Sequence, residues 1–224
     1  MLEGSTTNLI VIKNNNNRHN DSSYGTQEYK EQYPKGYDQL KEKERRAKDL
    51  NFTLDIKDQE SLFYHEEVDK TDIRLYFAMQ NTGGEHVFYT SLQDEQQVVS
   101  FPFWGSQFYI ESKLNQEPWK KLDDTKVIDG YTCFKAVKKY TESIAGRDNI
   151  IRVEAWYAPE IPLSFGPKQY SGLPGLILEL KENKLTYFLK SIDYDPKSQR
   201  EIVPPIKKGE LTTWEDFAKE SSGI

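Results

Sequence analysis

Beyond residue 51 the chain alternates apolar and polar positions with a period of two. Phe52, Leu54 and Ile56 alternate with Thr53, Asp55 and Lys57, and Ile73, Leu75 and Phe77 repeat the spacing after Asp72. Such alternation puts one side of a strand in a core and the other in water. Residues 62–65, 86–90, 97–101 and 108–111 extend the series, with turn signals at residues 81–84, Pro102 and Gly105. The acidic pair Asp123-Asp124 after Trp119 reads as a turn, and Asp129-Gly130 predicts a tight hairpin because both residues tolerate positive φ. A strand over 131–140 follows, then a turn near 145–147. Beyond that turn Ile151, Val153, Ala155 and Tyr157 share one face while Arg152, Glu154 and Trp156 share the other. The expectation is a long antiparallel hairpin.

After Trp156 the pattern breaks. Pro159, Pro162, Pro167 and Pro174 punctuate a connection that is long for a compact domain. Proline has no amide to donate, so this segment cannot be a central strand and is expected over the sheet or its rim. Leu176, Leu178 and Leu180, then Leu185, Tyr187 and Leu189, predict a returning hairpin around Glu182-Asn183-Lys184. Near the end, Thr212 with Glu215 three residues later fits a capping box for a short amphipathic helix carrying Trp214, Phe217 and Ala218.

Residues 14–49 are polar, opening on Asn14 to Asn17 and closing in mixed charge, with Leu40, Ala47 and Leu50 as the apolar positions of a helix over 37–50. A stretch so poor in apolar residues buries too little to offset the entropy of ordering it. The division expected is therefore a polar, partly disordered segment over 1–50 and a single antiparallel β-domain over 51–224. Met1-Leu2-Glu3-Gly4-Ser5 reads as a start residue plus cloning residues, which leaves room for a natural export signal upstream.

Composition sharpens this picture. Only 36% of the 224 residues are hydrophobic, but 13% are aromatic, so the core must be aromatic and β-branched. The formal net charge of -6, with basic residues interleaved among acids, argues against a nucleic-acid partner, which needs a clustered Lys/Arg surface. No run approaches the roughly 18 apolar residues of a membrane-spanning helix. The lone cysteine, Cys133, has no internal partner and sits in Tyr131-Thr132-Cys133-Phe134 as a small buried hydrophobe.

Candidate chemistry is sparse. His19, His65 and His86 have none of the spacings that hold zinc, although His65 and His86 with nearby carboxylates leave a metal-dependent hydrolase as an alternative. There is no G-x-S-x-G, Walker loop or G-x-G-x-x-G, so no catalytic residue, metal or cofactor is assigned. Adjacent acids such as Asp123-Asp124 and Glu66-Glu67 point to opposite sides of a strand. The aromatic run Phe101-Pro102-Phe103-Trp104-Gly105 lies where a loop exposes it and invites a ligand or partner.

The richest stretch is Gly172, Leu173, Pro174, Gly175, Leu176 and Ile177. Leu173 before proline is extended, Pro174 presets the second position of a type II turn and Gly175 takes the positive φ of the third. With no lysine and no following helix it is not an anion loop. This motif resembles the one that names the GLPGLI family, the Porphyromonas gingivalis-type family of Bacteroidota envelope proteins. Residues 128–136, 156–162 and 165–167 are similar to the family pattern as well. The resemblance implies an exported protein of the periplasm or outer membrane, its signal peptide removed, in a family without a settled activity and often encoded near TonB-dependent receptors.

The fold expected is mainly β, a curved antiparallel meander sheet (a LolA-like half-barrel, by analogy of fold alone) with a short C-terminal helix. The function expected is non-enzymatic binding of a hydrophobic, lipid-like ligand or an outer-membrane partner through Phe103, Trp104, Trp156, Phe165 and Tyr170. A structural subunit of an outer-membrane complex is the further alternative. Oligomeric state is not encoded in any of these patterns.

Overall fold

The computed structural model describes residues 9–15, 27–47, 50–65, 71–80, 84–114, 118–144, 147–183, 185–194, 196, 201–206 and 211–221. Its strands are β1 (Leu9–Asn15), β2 (Asn51–Lys57), β3 (Glu60–His65), β4 (Val87–Ser91), β5 (Gln96–Phe103), β6 (Ser106–Lys113), β7 (Lys120–Ile128), β8 (Tyr131–Ile144), β9 (Arg147–Ala158), β10 (Leu176–Glu182) and β11 (Leu185–Ile192). Helices α1 (Gln27–Gln32), α2 (Pro34–Ala47), α3 (Ile73–Gln80) and α4 (Trp214–Ser221) complete the described elements. The fold is the expected one: mainly β, antiparallel, curved and open. The meanders β2–β6 and β7–β11 each run outward from β1, which joins them into an 11-stranded sheet ordered β6-β5-β4-β3-β2-β1-β11-β10-β9-β8-β7.

Register explains the core. Leu54, Phe63, Phe88, Val99 and Ile110 are successive cross-strand partners, so one apolar row runs across β2 to β6. The sheet curls toward this side: Tyr187 on β11 reaches over β1 to pack edge-on against Phe52 and Phe63, with ring centroids 5.5 and 5.8 Å away. Ala136, Val153, Ala155 and Leu180 carry the same core into the other half. Two tight turns set the hairpins. Asp129 and Gly130 have φ of 49° and 85°, the positive pair expected of that hairpin, and Trp104 and Gly105 repeat it at 48° and 80° between β5 and β6. Pro102 causes no loss in β5, because β4 begins at Val87, the partner of Ser100, and offers Pro102 no ladder partner on that side.

Several local expectations are corrected. Residues 73–80 are helical rather than extended: Asp72 Oδ1 accepts the Leu75 amide at 3.1 Å as an N-cap, and Leu75, Ala78 and Met79 follow the i, i+3, i+4 spacing of one helix face packed on the core. Asp123 and Asp124 lie inside strand β7, where the register shifts between Lys121 and Thr125. The extra residues form a bulge on an edge strand, a bend that discourages edge pairing. The cap of α4 is Thr213 rather than Thr212: its hydroxyl accepts the Asp216 amide at 3.2 Å and donates to Asp216 Oδ2 at 2.8 Å. Thr212 instead bridges Ile110 in parallel and covers part of the β6 edge. Within the N-terminal stretch read as polar, β1 enters the sheet and α2 covers much of the helix expected over 37–50. His19, Glu66-Glu67, residues 81–83, 145–146 and Lys184 lie outside the described residues.

Candidate functional site

The proline-rich connection, residues 159–175, is a strap across the concave side of the sheet. It is not a ladder strand; it docks through buried side chains and through its carbonyls, those of Ile161 and Phe165 accepting the Leu176 and Ile177 amides of β10 at 3.0 Å each. Ile161, Phe165, Tyr170 and Leu173 are buried in the main core, Phe165 and Tyr170 each at only 2% exposure. Gln97 on β5 donates from Nε2 to the Gln169 carbonyl at 2.6 Å, and the Trp119 indole N–H donates to the Ser171 carbonyl at 2.9 Å. The strap therefore touches both halves of the sheet.

Its middle is held by a buried polar network. Lys168, itself at a positive φ of 57°, is ion-paired with Glu182 at the end of β10. The Tyr170 hydroxyl donates to Glu182 Oε1 at 2.6 Å, and the Tyr140 and Tyr170 hydroxyls lie 3.0 Å apart. Burial favours the neutral carboxyl of Glu182, but the ammonium of Lys168 outweighs it and holds that group below its ordinary range. Burial likewise opposes the charge on Lys168, yet the oxygens of Tyr187 and Glu182 keep the ammonium above its usual value. Burial pushes the Tyr187 phenol up to about 12 and raises Tyr170 beyond the ordinary phenol range. The pair is charged and its phenols are neutral at any physiological pH, a locked structural arrangement rather than an acid and base poised to exchange protons.

The family-motif residues make the strap's return possible, and here a further expectation changes. Gly175 is not the third residue of a type II turn: its φ is +154°, and its amide donates to the Leu173 carbonyl at 2.8 Å. Glycine is needed because the backbone of β9 passes against it. A Cβ there would lie 2.6 Å from Ala158 C and 2.8 Å from Pro159 Cα, and would strike the Ala158 carbonyl oxygen. Gly172 has a φ of +84° with open space around it. Leu173, Leu176 and Ile177 are buried, and Ile177 fills the space left by Gly166, where a Cβ would fall 2.7 Å from its own. The motif is a packing joint between strap, β9 and β10.

The five candidate binding residues fall in three places. Phe165 and Tyr170 belong to the strap and are buried in the main core. Trp156, 9% exposed, lies on β9 with Lys126 Nζ 4.3 Å and Lys135 Nζ 5.4 Å from its ring centroid, both lysines being ion-paired to neighbouring glutamates. Phe103 and Trp104 sit at the tip of the β5–β6 hairpin. Phe103 packs edge-on to Phe108 and Phe217, and Phe101 stacks on Trp214 at 5.8 Å, so the hairpin and α4 form one aromatic cluster. Trp104 projects from it, 77% exposed, with Trp214 at 41%. From sequence Trp214 is an apolar position of the terminal helix and not a binding candidate; its placement beside the tip depends on α4 docking on β6. His65 and His86 belong to the aromatic layer, His65 edge-on to Phe52 and His86 stacked on Phe101 at 4.9 Å. Among the described residues no group of three His, Cys, Asp or Glu could hold a metal ion.

These features define an open antiparallel sheet protein with a buried strap. Residues 145–179, a stretch that takes in β9, the strap and the start of β10, match the model of a family described as "Protein of unknown function (Porph_ging)". No curated protein matches. The fold is similar to the solved "Structure of PNGF-II in C2 space group", with a TM-score of 0.55 and 14% identity over 96% of this chain. It is also similar to the "Structure of PNGF-II in P21 space group", with a TM-score of 0.51 and 13% identity over 96% of this chain. This chain spans about a third of their length, 33% and 34%, and the likeness is one of fold. Among the described residues no helix is long and apolar enough to cross a membrane.

Proposed function

We propose that this chain is an exported, non-enzymatic binding protein of the cell envelope that docks an outer-membrane protein partner through the aromatic tip formed by Phe103, Trp104 and Trp214. The observation that carries the reading is Trp104. A large apolar ring 77% exposed at a positive φ is explained neither by burial nor by backbone preference. A left-handed conformation costs a non-glycine residue about 1–2 kcal/mol, and asparagine is the favoured occupant of that turn position. Exposed tryptophans at the centre of a patch are the residues that most often dominate interface energetics. The concave side, where a hydrophobic ligand would otherwise sit, is occupied by Phe165, Tyr170 and Leu173 of the chain's own strap.

The test is recovery of partners from envelope extracts by the wild type and by Trp104→Asn, which removes the ring and relieves the turn. Enrichment of an integral outer-membrane protein by the wild type, lost in a variant that melts no lower, is expected. Equal recovery by both, or enrichment of soluble proteins only, would overturn the reading.

A further inference from the structure

The strap is held very differently on its two sides. Toward β8, β10 and β11 it carries the Lys168–Glu182 ion pair, the Tyr170 and Tyr140 hydroxyls and the Trp119 bond to Ser171. Toward β3, β4 and β5 it meets a different wall. One pleat beyond the apolar row, Ser61, Thr90 and Gln97 are successive cross-strand partners, all less than 6% exposed and facing the strap side. The bond from Gln97 Nε2 to the Gln169 carbonyl spans this seam. The rest of the seam is poorly satisfied: Thr90 Oγ1 and Gln169 Oε1 are buried and have no hydrogen-bond partner among the described residues. A buried polar atom without a partner costs free energy that contact with water recovers.

We propose that the strap opens from one side, lifting off the Ser61–Thr90–Gln97 wall while it stays anchored on Glu182. The asymmetry is one of chemistry. Separating Lys168 from Glu182 would strand two charges in the core, whereas parting the seam breaks a neutral hydrogen bond and hydrates two unsatisfied atoms. The lifted state uncovers hydroxyl and amide groups over the apolar row, a wall without a formal charge. Opening of this kind belongs to the local motions whose free energy lies below that of global unfolding.

The chain carries its own control in Cys133, fully buried in the opposite half, so alkylation of an introduced thiol can be compared with it in the same molecule. In Thr90→Cys, with Ser61→Cys as the second variant should the first fail to fold, iodoacetamide is expected to modify the introduced thiol at least about tenfold faster than Cys133, with a weaker urea dependence. Adding Gln97→Leu should speed the introduced thiol and leave Cys133 unchanged, while Lys168→Met should speed both together. Equal rates and equal urea dependence for the two thiols would overturn the proposal. So would an introduced thiol indifferent to Gln97→Leu.

Discussion

Gly175→Ala is the most direct perturbation of the strap's joint, and Gly172→Ala is its matched control. Both replace a positive-φ glycine three residues apart in the same loop, but only the first meets neighbours. At Gly172 a Cβ finds nothing within 4 Å, so the change costs only backbone strain, about 1 kcal/mol. At Gly175 the methyl would sit within 3 Å of three backbone atoms of Ala158 and Pro159, none of which can rotate away. Overpacking of about 1–3 kcal/mol adds to about 1–3 kcal/mol of strain, roughly 4 kcal/mol together. For a domain of this size each kcal/mol moves the melting temperature by about 2–4 °C. Thermal denaturation should therefore show losses of roughly 3 °C for Gly172→Ala and roughly 12 °C for Gly175→Ala. Urea unfolding gives the same comparison at constant temperature, with the m-value reporting whether two-state behaviour survives. A Gly175→Ala protein that melts no lower than Gly172→Ala would refute the close approach of the strap to β9.

Other outcomes follow from the buried network and the tip. Glu182, held below its ordinary 4.5, contributes stability that is present above that pH and lost as pH falls through its folded value. Lys168, held above its ordinary 10.5, contributes stability that is present below that pH and lost as pH rises through its folded value. A pH series of urea midpoints should show both limbs, and Glu182→Gln should flatten the acid one; an unchanged acid limb would contradict the pairing. Glu182→Gln should also cost about 3–5 kcal/mol at neutral pH because it leaves Lys168 buried beside a neutral partner. Lys168→Met combined with Glu182→Leu should recover part of that loss, and a fully additive pair of losses would count against the ion pair. Trp104→Asn should raise the melting temperature by up to roughly 3 °C, since relief of about 1 kcal/mol of strain accompanies the loss of little buried surface from a ring that is 77% exposed. A fall instead would mean that the indole contributes to folding.

Where local chemistry dictates structure, the sequence was legible. Asp129-Gly130 is a turn because both residues tolerate positive φ, and β8 and β9 pair because one apolar face recurs at every second residue. The motif read as a turn launching a strand, and it does launch β10, but the need for Gly175 comes from a neighbour 17 residues earlier, Ala158. Such long-range crowding has no local signal. Helix α3 was misread because Ile73, Leu75 and Phe77 fit a period of two, whereas the Asp72 cap and the Leu75, Ala78, Met79 spacing were the better guide. Of the candidate site residues, sequence placed Trp104 on a loop but had no means of separating it from Phe165 and Tyr170. Which aromatic faces water depends on where the strap lies, and that follows from Lys168 meeting Glu182 across the fold.

If, as we propose, binding belongs to the outer aromatic tip, the hollow of the sheet takes no ligand because the chain's own strap fills it. Native mass spectrometry of gently purified protein tests it most directly. The expected spectrum shows the mass of the polypeptide with no stoichiometric apolar small molecule attached. A lipid-like adduct retained at one equivalent, and released when the strap is loosened by Gly175→Ala, would contradict it.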